Sequence, residues 1–475
     1  MSKNIGIIFL LLADVAAFYL SIFSSYYTRK SLDVILPPFQ ISLGDLLSRW
    51  WIPAIFLAFF LYENLYFKRL PFWDEVKTLL KTITISIIVV ISIITLGKMG
   101  DSISRTAIVF LWAYALFFFP ILRIISKRVL CNMPFWKKNV IIIGAGPMGI
   151  EAAIGLEKHK YMGYRVLGFL DDDEDKIRKQ ISIEGKNLKV FGKIRNYSKF
   201  IHLLNITTVV IALPALPQEE LIQLTNEIQK FTTNVLFVPD LKGIGILNTE
   251  LYHLFNEEFF LLKINNNLKI PLSQATKRVF DIVVSFILLP CLLLVIAIIS
   301  FLIKLTSRGP VFYSQLRVGT NGKSFQIYKF RSMYFDAEER LRKMLLSNEN
   351  ICKEWETNFK LKKDPRITWI GNFLRKTSLD ELPQILNVLK GEMSLVGPRP
   401  VIQKEIDLYY KNYASFYFMV RPGVTGIWQI SGRSDTNYDR RVKLDTWYVL
   451  NWSVWLDTII ILKTFKVILK REGAY

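Results

Sequence analysis

The groups best suited to chemistry lie in one stretch, Arg366 to Pro400, RITWIGNFLRKTSLDELPQILNVLKGEMSLVGPRP. Arg375 and Lys376 precede the adjacent carboxylates Asp380 and Glu381, and a stiff Gly397-Pro398-Arg399-Pro400 turn closes the stretch. Cations beside paired carboxylates suit the handling of phosphate and a divalent cation. A carboxylate is ionised at pH 7 without help from a base, because its unperturbed pKa is about 3.9. It can attack phosphorus directly if a neighbour and a metal ion neutralise the target's charge. Two local structures compete here. Ser378-Leu-Asp-Glu381 fits a capping box with Ser378 as N-cap. Alternatively, Asp380 caps the helix-like run over 382–389, which puts Pro383 in the first turn, where its missing N–H costs nothing. In that position the helix dipole favours the carboxylate by roughly 0.3–1 kcal/mol.

Other cations flank this stretch. Lys329 and Arg331 alternate with Tyr328 and Phe330, so on a strand the two charges share one face. Arg421 to Arg433, RPGVTGIWQISGR, supplies a second rigid turn and a further arginine. Trp447, Tyr448, Trp452 and Trp455 in the tail suit a lipid headgroup layer, or equally the filling of a core. The only histidines, His159, His202 and His253, lie far from these motifs. A Ser-His-Asp triad in the last third is thereby excluded, and a zinc-protease helix is not expected. Cys131, Cys291 and Cys352 lack metal-ligand spacing.

The elements that hold these residues must do so at a membrane. Half of the 475 residues are hydrophobic, mean hydropathy is +0.29, and the formal charge is +21. Such a charge needs an anionic partner, and long apolar segments beside it favour a lipid surface over nucleic acid. Four segments, 5–23, 51–67, 83–96 and 106–122, are each read as a transmembrane helix. Asp14 interrupts the first and argues against a cleaved signal peptide; it acquires no assigned role. Ten Lys and Arg residues fall at or near the ends of these segments on one side, against five on the other, which directs the N-terminus and the chain after the fourth segment to the cytoplasm.

Residues 137–265 read as a Rossmann-like domain following a four-helix bundle over 1–128. Asn139 to Ile143 is a buried-strand run leading into Gly144-Ala-Gly146-Pro-Met-Gly149, and a second strand over 164–170 ends at Asp171. This is the order of a dinucleotide fingerprint. Gly144, Gly146, Gly149 and Asp171 are thus candidates for holding a nucleotide, although the glycines also serve a tight turn and close helix packing. Further strands are expected at 208–213 and 234–238.

A 26-residue apolar run, 280–305, is flanked by cations on both sides and contains Pro290. A straight span would put one basic flank outside, and proline breaks a helix bond, so a re-entrant hairpin is expected, with a fifth span as the alternative.

Together, YKFRSM, DPRIT, FLRKTSLDELPQILNVLKGEMSLVGPRP, RPGVTGIWQISGRS and the terminal REGAY resemble the bacterial polyprenyl-phosphate hexose-1-phosphate transferases, which are monotopic phosphoglycosyl transferases. The likeness covers 275–475, and the four-segment start and Rossmann-like middle look like the long members of the family. It implies a membrane protein with a re-entrant helix and an α/β cytoplasmic catalytic domain, in a bacterial inner membrane, as a homodimer. It further implies that Asp380 attacks the sugar-bearing phosphorus of a UDP-hexose, releases UMP, and passes the phospho-sugar to undecaprenyl phosphate. By motif, Glu381 matches a Mg²⁺ ligand and Arg375 a phosphate-binding arginine. Lys329, Arg331, Arg399 and Arg433 fall in motifs near the nucleotide or phosphate, Asp457 matches a late acid near the active site, and Pro290 matches the hairpin proline. Direct attack by the lipid phosphate, and a nucleotide-sensing membrane scaffold, are the rival readings.

Overall fold

The computed structural model describes residues 2–98, 104–177, 179–241, 245, 247, 249–253, 260–337, 339, 341–342, 346, 364, 366–431 and 437–470. It divides into two compact units, Met1–Leu241 and Lys242–Tyr475.

In the first unit, helices α1 (Ser2–Ser31), α3 (Trp51–Tyr62), α4 (Phe72–Leu96) and α5 (Arg105–Leu130) bury a common core, with the short α2 (Leu43–Leu47) between the first two. Phe18, Phe56, Phe60, Leu79, Ile83 and Phe119 are among its members. With their flanking turns, the segments Ile5–Val34, Leu43–Tyr62, Phe72–Leu96 and Arg105–Leu130 are each long and apolar enough to cross a membrane. Hydropathy places the start of the third segment eleven residues late. The opening turns of α4 carry charge, but Glu75, Val76, Leu79, Thr82 and Ile83 keep one buried face at helical spacing. That face is possible because the charges inside are paired. Asp14 accepts from Arg123 Nε at 2.9 Å and from the hydroxyl of Tyr66 at 2.8 Å, and Glu75 accepts from Lys127 Nζ. Asp14 thus packs against polar neighbours, and two of the ten counted cations are neutralised inside the helices.

The rest of this unit is a six-stranded sheet in the order β3-β4-β2-β1-β5-β6. Strands β1 (Lys138–Ile143), β2 (Tyr164–Leu170), β5 (Thr208–Ile211) and β6 (Asn234–Phe237) match the expected runs. All neighbouring pairs are parallel except β3 (Gln180–Ile183) with β4 (Lys186–Gly192). That hairpin turns on Glu184 and Gly185, both at positive φ, the backbone a tight two-residue turn needs. Helices α6 (Pro147–Lys158), α7 (Tyr197–Leu203) and α8 (Gln218–Gln229) complete the α/β unit.

The second unit opens with the hairpin β7 (Thr249–His253) and β8 (Phe260–Ile264), which the sequence reading had included in the middle domain. The 36-residue α9 (Pro271–Thr306) follows and runs unbroken through Pro290. It is the fifth helix long and apolar enough to cross a membrane. Its two ends pack against the same unit. Ile299 and Ile303 join Phe330, Ile370 and Leu374 in one core, while Val284, nearer the start, and Leu292, in the middle of the helix, pack on another containing Val388, Tyr448 and Trp452. Near its start, Arg278 donates to the carbonyls of Val388 (2.6 Å) and Leu389 (2.8 Å), which lie in the last turn of α11 (Ile385–Lys390). A cation there satisfies unpaired carbonyls and opposes the helix dipole. Between its ends, Phe286, Ile287, Leu293, Leu294 and Ile298 are exposed.

Candidate active site

The site is assembled from a hairpin, a helix end and two turns. Strands β9 (Phe312–Val318) and β10 (Ser324–Phe330) pair antiparallel, and Lys329 is the penultimate residue of β10, with Arg331 just beyond its end. Helix α10 (Trp369–Thr377) is strongly amphipathic, buries Ile370 and Leu374, and carries Arg375 in its last turn. It stops at Ser378, whose φ of 58° is the left-handed turn that reverses the chain. A 3₁₀ stretch, Leu379–Gln384, then presents Asp380 and Glu381 before α11 begins. Neither expected cap forms: Ser378 makes no side-chain capping bond, and Asp380 lies within the 3₁₀ stretch rather than at the start of the α-helix. Asn387 in α11 fixes this region to β10, accepting from Tyr328 N at 3.1 Å and donating to Gln326 O at 2.7 Å.

These elements surround a cleft of about 1740 Å³ lined by Lys329, Arg331, Arg375, Asp380, Glu381 and Arg399, among others. A single small-molecule pocket is typically roughly 300–1,000 Å³, so this cleft is larger than most. Glu381 Oε1 accepts from Lys329 Nζ at 2.7 Å and from an Arg399 terminal nitrogen at 3.1 Å. Arg375 Nε donates to Ser332 Oγ at 2.9 Å, which orients its guanidinium. Arg331 donates to both oxygens of Ser307 just past the end of α9, at 2.8 and 2.9 Å. Burial, and then the charge of Glu381, push the Asp380 carboxyl above its usual pKa, against the pull of Lys329, Arg375 and Arg399. Raising a carboxylate's pKa strengthens it as a nucleophile once it is ionised.

Not every expected residue is in this cleft. Asp457 is fully buried and accepts from Lys277 Nζ (2.8 Å), Tyr448 (2.8 Å) and Trp452 Nε1 (3.0 Å), so it anchors α9 to the core. Pro290 lies in the exposed middle of α9. Arg433 and the REGAY terminus fall outside the described residues. In the sheet of the first unit, Gly144 has φ +99° and an added Cβ would meet Ala212 O at 2.6 Å; on Gly149 it would meet Gly144 O at 1.9 Å. Close packing alone requires both, whereas Gly146 has open space around it. Asp171 turns inward, its Oδ2 accepting from Ala145 N at 2.7 Å.

The sequence reading also passed over Trp428, Arg441 and Asp445, the first two of which line the cleft. The i, i+4 spacing of Arg441 and Asp445, beside Tyr438, was an available signal. Asp445 is buried, accepts from the Tyr410 hydroxyl at 2.6 Å, and has its pKa pushed up to about 6 by burial.

Comparison with known proteins agrees with the geometry. The bacterial sugar transferase family model matches residues 272–471, and a CoA-binding domain model matches 61–239. The undecaprenyl-phosphate galactose phosphotransferase of Salmonella typhimurium is 36% identical, over 98% of this chain and 97% of its own. The chain belongs to the bacterial sugar transferases. A UDP-galactose-lipid carrier transferase of Erwinia amylovora is 39% identical, over 86% of this transferase and 84% of its own length. A UDP-glucose:undecaprenyl-phosphate glucose-1-phosphate transferase of Klebsiella pneumoniae is 30% identical, over 86% and 84%. The transferase is therefore an enzyme of the phosphoglycosyl transfer class, and its cleft is the candidate seat of that reaction.

Proposed function

We propose that this transferase moves hexose-1-phosphate, galactose-1-phosphate in the first instance, from a UDP-hexose to undecaprenyl phosphate, through a covalent intermediate on Asp380. The observation that carries this reading is a half-buried Asp380 beside a Glu381 held by Lys329 and Arg399, with Arg375 in the same cleft. An Asp380 oxygen attacks the sugar-bearing phosphorus, the bond from that phosphorus to the bridging oxygen breaks, and UMP leaves with the bonding electrons. A lipid phosphate oxygen then attacks the same phosphorus, releasing undecaprenyl-diphospho-hexose and restoring the carboxylate. Lys329, Arg375 and Arg399 screen the phosphate charge from the approaching carboxylate, and because they are already positioned they need little reorganisation in the transition state.

The donor set fits Mg²⁺. Among the described residues no three His, Cys, Asp or Glu side chains gather as a metal cage. Mg²⁺ is usually held by one or two carboxylates with substrate phosphates and water, which is what Asp380 and Glu381 offer. Glu381 would hold the ion, which when bound neutralises phosphate charge.

The five apolar helices seat the enzyme in the bacterial inner membrane, and the surplus of basic residues flanking them favours a cytoplasmic active site. Both ends of α9 pack on the same unit, which favours a helix that enters and leaves one leaflet over a straight span. Such a helix would hold the cleft level with the lipid phosphate. Its product would be the first lipid-linked sugar of a surface polysaccharide, and a homodimer is the assembly we expect.

The test is intact-protein mass spectrometry with UDP-galactose and Mg²⁺ and no lipid, repeated with UDP-glucose. The expected result is a hexose-phosphate adduct with stoichiometric UMP, absent from Asp380→Asn. Transfer to added lipid without any adduct would replace the covalent route by direct attack.

A further inference from the structure

Arg441 is a described cleft residue with a buried, underused cation that the mechanism leaves unassigned. It lies in the first turn of α12 (Tyr438–Leu450), whose start is capped by Asn437 accepting from Arg440 N at 2.9 Å. Only 7% of it is exposed, yet its Nε and one terminal nitrogen have no hydrogen-bond partner among the described residues. Asp445 Oδ2 is 3.9 Å from Nε, beyond hydrogen-bond range, and already takes the Tyr410 hydroxyl. A desolvated guanidinium short of acceptors is a poor structural element but a ready receptor for an anionic or carbonyl oxygen.

Its surroundings fix where such a ligand would lie. The guanidinium sits over the rings of Trp428 (4.9 Å) and Tyr438 (4.8 Å), and Tyr438 is itself stacked on Tyr409 at 3.8 Å. Arg399 is 5.8 Å from the same Trp428 ring while bonded to Glu381. Trp428 therefore lies between Arg399, which is bonded to Glu381, and Arg441.

We propose that Arg441 and Trp428 form the subsite for the nucleoside monophosphate portion of the donor. This rests on the transferase reading above. That portion has a planar base with carbonyl oxygens and an anionic phosphate, which match an aromatic face and a planar fork of N–H donors. The sugar offers neutral hydroxyls and no planar face. The lipid acceptor shares the phosphate but not the base, so the test separates the two.

The full-length protein in lipid nanodiscs is titrated calorimetrically with UMP, and KM values are measured for UDP-hexose and for a polyprenyl phosphate. Arg441→Met should weaken UMP binding and raise the donor KM in parallel by about tenfold or more, with kcat held within about threefold. Arg441→Lys, which keeps the charge and loses the fork, should fall between. The acceptor KM should not move. Unchanged UMP binding in Arg441→Met that melts like the wild type would overturn the proposal, as would a shift confined to the acceptor. Should Arg441→Met fail to fold, Arg441→Lys and Trp428→Leu decide by the same two readouts. Wild-type protein that binds UMP through Arg441 but forms no adduct and transfers no sugar would sink the transferase reading and leave the subsite standing.

Discussion

Lys277 and Asp457 offer a test of whether the late acid belongs to the chemistry or to the scaffold. Lys277 is the cation of a buried cluster: its Nζ reaches Asp457 (2.8 Å), the Tyr448 hydroxyl (3.1 Å) and the carbonyl of Val396 (3.0 Å). Asp281, one helical turn on, is also fully buried and is held by Ser394 Oγ (3.0 Å) and Leu395 N (3.2 Å). Lys277→Met therefore strands two carboxylates away from water. Removing one partner of a buried pair costs about 3–5 kcal/mol. In a unit of roughly 150–250 residues each kcal/mol moves the melting temperature by about 2–4 °C, so a fall of about 6–20 °C is expected. Asp457→Asn is milder, because the lysine keeps its two neutral acceptors and the charge of Asp281. The double variant should be no worse than Lys277→Met alone, since it strands one carboxylate instead of two. The assay is thermal unfolding in nanodiscs, paired with adduct formation measured well below every midpoint. Asp457→Asn should form adduct at close to the wild-type extent. A Lys277→Met protein melting within about 2 °C of wild type would refute the anchor. So would Asp457→Asn that melts normally and forms no adduct, which would return Asp457 to the chemistry.

Two further outcomes follow from the same coordinates. Because the Asp380 pKa is raised in the folded protein, protonation favours folding between its unfolded and folded values, and the stability held by the acid form is lost as pH rises through the folded value. Adduct formation should accordingly rise with pH through a midpoint above the ordinary carboxylate range, and Asp380→Asn should melt at or above the wild-type temperature at pH 7; an acid limb at or below pH 4 would contradict the burial argument. Asp171→Ala should destabilise the sheet of the first unit by about 1–3 kcal/mol, because Ala145 N loses its acceptor; amide exchange at Ala145 no faster than in wild type would show that the contact does little.

Much of this protein was legible one residue at a time. The strands at 138–143, 164–170, 208–211 and 234–237 follow from short apolar runs, and all five helical segments long and apolar enough to cross a membrane from hydropathy. The paired carboxylates of Asp380 and Glu381 and the cations before and after them pointed to phosphate chemistry, because that set suits an anion together with a divalent cation. What the sequence could not decide is which charges meet. Glu75 and Lys127 look like membrane-flanking residues until the helices bring them together, since hydropathy counts each charge alone and pairing is a tertiary event. The same holds for Asp457, 77 positions from Asp380 and placed by α9 under the core instead of in the cleft. Arg441 remained unread for that reason too, being one more cation on a charged helix until Trp428 and Tyr438 enclose it. Composition and local pattern determined the elements and the candidate carboxylate pair; the enclosure that turns an ordinary side chain into an anchor or a candidate subsite came only with packing, because burial is a property of neighbours distant in the chain.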